Sequence, residues 1–93
     1  MKPINEVKIN LLSRSSNESF ARVAVASFIA QLDPTIEEIN DIKTAVSEAV
    51  TNCIVHAYKE RLDTVYITVA IFDNRTVKIT VRDKGCGIDD VKK

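Results

Sequence analysis

Hydrophobic and polar positions alternate first over residues 5–13, where Val7, Ile9 and Leu11 fall on one side of an extended chain. That period of two predicts a half-buried β-strand. The run Ser13-Arg14-Ser15-Ser16-Asn17 breaks it and is rich in helix-capping residues. Ser15 with Glu18 three positions later has the form of a capping box. Phe20, Val23, Ala24, Phe28 and Leu32 then follow helical spacing up to Asp33-Pro34. A second helix starts in Asp-Pro-Thr, with two sound openings. Thr35 and Glu38 form another capping box, and Asp33 as N-cap with Pro34 at the first helical position serves equally.

The apolar stripe of this second helix is Ile39, Ile42, Val46, Ala49 (or Val50), Cys53 and Ala57, and it runs to about Tyr58. Lys59, Glu60 and Arg61 follow as a solvated end. Val65, Ile67, Val69 and Ile71 alternate as a strand, Asp73-Asn74-Arg75 supplies turn chemistry, and Val77, Ile79 and Val81 alternate again. A β-hairpin is expected. The order β-α-α-β-β predicts an α/β (α+β) two-layer sandwich with both helices on one sheet face.

Composition narrows the class without naming a function. The chain has 93 residues, 45% of them hydrophobic, which suits one small globular domain. Thirteen basic residues balance thirteen acidic ones, so no basic surface points to nucleic acid and no acidic block to a tail. Cys53 and Cys86 stand far apart with no Cys/His company, which excludes a disulfide framework or a zinc site and suits free thiols in a reducing compartment. No apolar run approaches membrane-spanning length. A cytoplasmic protein without a membrane partner is expected.

Two short motifs carry the candidate chemistry. Glu48-x-x-x-Asn52, in EAVTNCIVHAY, places a carboxylate and a carboxamide one helical turn apart on the same face, at the edge of the apolar stripe. A carboxamide oxygen is a hard, neutral ligand suited to Mg²⁺, and a carboxylate one turn away can orient or deprotonate an attacking hydroxyl. Alone, the pair also reads as the polar edge of an amphipathic helix. Asp83-x-Gly85-x-Gly87, in RDKGCGI, ends the last strand in an acid set in phase with its apolar side. An inward acid needs a donor, and the exocyclic amine of adenine is a suitable one. Gly85 and Gly87 let the backbone approach a flat ring closely. Alone, this is also an ordinary tight turn with an acidic cap. It is not the dinucleotide fingerprint, and no G-x-x-x-x-G-K-S/T loop is present.

In combination the motifs are specific. A helix with E-x-x-x-N, a hairpin and then D-x-G-x-G resembles the ATP-binding domain shared by type II topoisomerases, sensor histidine kinases and mismatch-repair ATPases. The resemblance implies a Bergerat-type fold on a mixed sheet, with ATP and Mg²⁺ as cofactors. It implies that Asn52 coordinates Mg²⁺, that Asp83 binds the adenine amine, and that Gly85 and Gly87 line the base. The segments SSNESFARVAVASFIAQLDPT, IKTAVSEAVTNCIVHAY and ITVRDKGCGI resemble more closely the anti-sigma-F family of endospore-forming bacteria. Members of that family are serine kinases that also sequester a sporulation sigma factor. This resemblance spans nearly the whole chain. It implies that Glu48 is the catalytic base acting on a serine of an anti-anti-sigma protein. It also implies that Arg22 belongs to the surface meeting the sigma factor and its antagonist, and that the protein forms a homodimer. From spacing alone Arg22 is an exposed helix residue.

Ala57 departs from the glycine that this family usually places after the histidine, Cys86 fills a variable place, and His56 reads as structural. The family continues with a lid and a second glycine-rich loop at a helix N-terminus that binds the triphosphate. Neither occurs in these residues, so 1–93 is expected to be the N-terminal part of a single ATP-binding kinase domain, incomplete at its C-terminal end. Two other readings stay open: a sensor histidine kinase catalytic domain, and a non-enzymatic module that binds a sigma factor or dimerises.

Overall fold

The computed structural model describes residues 2–57, 62–83 and 88–92. β1 (Asn5–Leu12) leads into α1 (Asn17–Ile29) and a short 3-10 turn (Ala30–Leu32). α2 (Ile36–Asn52) runs into a widened π turn (Cys53–Ala57). β2 (Thr64–Ile71), β3 (Val77–Arg82) and β4 (Ile88–Lys92) complete the described elements. The sheet has the order β1-β2-β3-β4, and both helices pack on one face.

Every pairing is antiparallel, including β1 with β2, whose register runs from Asn5 opposite Ile71 to Leu12 opposite Thr64. The expected mixed sheet is therefore not found among the described strands. The two helices explain the β1–β2 direction. α1 carries the chain back along β1, α2 returns it, and β2 must then run opposite to β1. The three expected strands are present and a fourth follows. β4 has the sequence Ile-Asp-Asp-Val-Lys, whose two apolar residues stand three apart, so it shows no alternation to read.

The core joins Leu11, Ile42, Val46, Ala49, Val50 and Cys53 to the inward rows Val65, Ile67, Val69, Ile71 and Val77, Ile79, Val81. Each of these was expected to face inward, except that Ala49 and Val50 were alternatives and both are buried. α1 differs. Its buried row is Ala21, Val25 and Ile29, whereas Phe20 and Val23 are 58% and 57% exposed. The helix is apolar nearly all round, so a row shifted by one residue competes equally in the sequence. Small Ala21 lets the helix approach the sheet closely, and Phe20 is left outside.

The caps divide likewise. Thr35 Oγ1 accepts from the Glu38 N–H at 3.1 Å, and Glu38 Oε1 accepts from the Thr35 N–H at 2.9 Å. Asp33 is instead a left-handed residue (φ 54°) that closes the 3-10 turn. Ser15 and Glu18 form no box. Ser16 is the N-cap without a side-chain bond, and Glu18 turns to Arg22 one turn ahead. Thr35→Ala is expected to lower stability by about 1 kcal/mol, read as a shifted urea midpoint with an unchanged slope. An unchanged midpoint would show that the box adds nothing.

Candidate functional site

One end of the sandwich holds Glu48, Asn52 and Asp83. α2 starts beside the β2–β3 hairpin, where the Arg75 guanidinium donates to the Leu32 carbonyl. It ends at the opposite edge, level with the start of β2 and the end of β3. Asn52 is the last residue of α2, and Asp83 directly follows β3. The topology therefore brings both to the same end of the sheet. Glu48 and Asn52 are exposed, while Ala49, Val50 and Cys53 are buried on the opposite side of the helix. The expected face is real: carboxylate and carboxamide point away from the core, one turn apart.

The continuous α-helix expected to about Tyr58 gives way to the π turn after Asn52, where the Cys53 N–H reaches both the Ala49 and Val50 carbonyls. Such single π turns are frequent at functional sites. Asp83 is half-buried, as its phase with Val77, Ile79 and Val81 implies. Gly85, Gly87 and Cys86 lie outside the described residues, as do Tyr58 to Arg61.

The oxygen donors of Glu48 and Asn52 fit a hard divalent cation. Among the described residues no group of three His, Cys, Asp or Glu side chains forms a cage.

Arg22 is more constrained than an exposed helix position. Its guanidinium stands 3.8 Å from Glu18 and 3.5 Å from Ser47 Oγ, so it spans from α1 to α2, beside the residue preceding Glu48. Near it, Ser15, Glu18, Thr51, Ile54 and Val55 line an open hollow of about 220 Å³ between the start of α1 and the end of α2. Sequence reasoning missed this hollow, because its lining comes from two helices some thirty residues apart. It also missed Ser13. That buried residue receives the Asp63 N–H on its Oγ at 3.0 Å and gives its own N–H to the Asp63 carbonyl at 2.8 Å. The pair ties the entry of β2 to the end of β1 across fifty residues and steadies this end of the fold.

A model of the histidine kinase-like ATPase domain matches residues 13–93. The chain belongs to this family. An ATPase domain binds ATP, and the match takes in both Glu48-x-x-x-Asn52 and Asp83-x-Gly85-x-Gly87. Several curated relatives of this chain bear the name anti-sigma F factor. The protein of Caldanaerobacter subterraneus subsp. tengcongensis is 60% identical over 89 residues, covering 96% of this chain and 62% of that protein. That of a Thermoanaerobacter species is 56% identical over 93 residues, covering 100% and 64%, and that of Clostridium novyi 61% over 89 residues, covering 95% and 62%. The chain thus spans under two thirds of the length of these relatives.

Proposed function

We propose that this chain is the N-terminal part of an ATP-dependent protein serine/threonine kinase that is also an anti-sigma factor. It binds and inhibits a sporulation sigma factor and phosphorylates a serine of the anti-anti-sigma antagonist. The observation that carries the reading is the exposed Glu48/Asn52 face at the end of α2, set at the same end of the sheet as Asp83. The relatives named anti-sigma F factor support it.

Each residue has one task. The Glu48 carboxylate accepts the proton of the substrate serine. The freed oxygen forms a bond to the γ-phosphorus as the bond to the bridging oxygen breaks, and ADP departs. Asn52 holds Mg²⁺, which neutralises charge on the phosphates when bound. Asp83 accepts the adenine amine, and Gly85 and Gly87 leave room for the base. Arg22, already poised between the helices, meets the sigma factor and its antagonist in turn. The protein works in the cytoplasm as a homodimer, without contacting nucleic acid or membrane.

Transfer of labelled γ-phosphate from ATP to a serine of the antagonist by the full-length protein tests the reading. Absence of transfer, with ATP and antagonist both bound, would favour a non-enzymatic sigma-binding module. Residues 1–93 contain no phosphate-binding glycine loop, and phosphoryl transfer depends on gripping the phosphates. The isolated 93-residue chain is accordingly expected to transfer little phosphate. Robust labelling by it would show that the grip lies within these residues.

A further inference from the structure

Arg22 is fastened at two points. Its Nη1 stands 3.8 Å from Glu18 Oε1, one turn back along α1, and donates to Ser47 Oγ on α2 at 3.5 Å. The two contacts fix different things. Glu18 rides on the same helix as Arg22, so it restrains the side chain without tying it to α2. Ser47 supplies that tie, and among the described residues it is the only hydrogen-bond partner of Arg22 on α2. Both contacts use Nη1. A guanidinium carries five N–H donors in a rigid fork, and 38% of this side chain is exposed. Held at one nitrogen, Arg22 keeps Nε and Nη2 for a second group.

Ser47 is an uneconomical residue for its position. Inside a helix serine is a poorer former than alanine, and its hydroxyl tends to turn back to the carbonyl of the preceding turn. Ser47 lies within α2, half-buried, between the fully buried Val46 and the exposed Glu48. Here its oxygen takes the Arg22 N–H.

We infer that Ser47 is a positioning residue, which holds Arg22 in the place from which it meets the antagonist. The inference rests on the partner-binding role proposed above for Arg22. Place matters because the antagonist must satisfy two points at once: its serine reaches Glu48 while another part of it reaches Arg22. Ser47 directly precedes Glu48, a rise of about 1.5 Å and a turn of about 100° along α2. A guanidinium tied to Ser47 therefore keeps a set offset from that carboxylate. Released from Ser47, the long side chain regains its rotamers, and binding must then order them again at an entropic cost. The hollow between the helices lies on the same side. Glu18 and Thr51, each one turn from the Arg22–Ser47 contact toward the end of α2, form part of its wall. A partner entering there meets Arg22 already held.

The test uses the full-length protein with ATP and its purified antagonist. Ser47→Ala is expected to raise KM for the antagonist about three- to tenfold, while kcat and the Kd for ATP hold. A short hydrogen bond to a charged group would give more, but this one is long and only part-buried. Ser47→Thr keeps the hydroxyl and should return KM to near the wild-type value. In an Arg22→Ala background Ser47→Ala should add nothing, because the group it holds is gone. Calorimetric Kd values for the antagonist carry the same comparisons without relying on transfer. An unchanged KM in Ser47→Ala overturns the inference, as does a failed rescue by threonine or the same loss in the Arg22→Ala background. A fall in kcat with a lower melting temperature also overturns it, by showing a packing defect. Arg22→Ala with an unchanged KM removes the partner role of Arg22 itself, so failure of the underlying reading shows separately.

Discussion

Glu48→Gln in the full-length protein is expected to lower phosphoryl transfer to the antagonist's serine by about 10²- to 10⁴-fold while leaving ATP binding intact. That range is what a positioned general base contributes. Glutamine keeps the length and shape of the side chain and loses only the ability to take a proton. Glu48 lies on the exposed face of α2, away from Ala49 and Val50, so the exchange leaves the core and the helix seam untouched. Asn52, one turn on, keeps its place for the cation. Binding and chemistry should therefore separate: titration with a fluorescent ATP analogue gives an unchanged Kd, and single-turnover transfer falls steeply. Equal loss of both would mean that Glu48 helps hold the nucleotide and takes no proton. Transfer within a fewfold of wild type would remove Glu48 from the chemistry.

The features behind that expectation were legible for a physical reason. β2, β3 and the last three turns of α2 each have one wet and one buried side, so their apolar residues repeat cleanly, and Glu48 and Asn52 stand out against the repeat. α1 was harder to read. Apolar residues surround it, and only packing decides that Ala21, Val25 and Ile29 go inside while Phe20 stays out. The π turn after Asn52 leaves no mark in hydrophobic spacing, since Cys53 stays on the buried side either way. The tie between Ser13 and Asp63 depends on the β1–β2 register, and a serine in a cap-rich run gives no sign of a partner fifty residues away. Ser47 is similar. It matters because α1 lays Arg22 against it, which the spacing within α2 cannot show. Sequence thus displayed the exposed candidate groups better than the contacts that hold them in place.

Asp83→Asn should weaken ATP by roughly 10- to 100-fold and narrow the preference for ATP over GTP. A hydrogen bond to a charged group contributes about 1.5–3 kcal/mol, and each 1.4 kcal/mol is about a factor of ten in Kd. The carboxylate only accepts, which suits the adenine amine and repels the carbonyl that guanine carries at the corresponding position. The asparagine amide can donate, so guanine loses a repulsion while adenine loses a charge-assisted acceptor. Half-buried at the end of β3, Asp83 sits where partial exclusion of water makes such a difference felt. Competition binding of ATP and GTP to the full-length protein checks this, with a thermal melt confirming that the sheet end is intact. A fall in affinity equal for both nucleotides would indicate a general disturbance of the turn. An unchanged ratio with unchanged affinities would remove Asp83 from base recognition, and the pocket would then have to be placed elsewhere than at the end of β3.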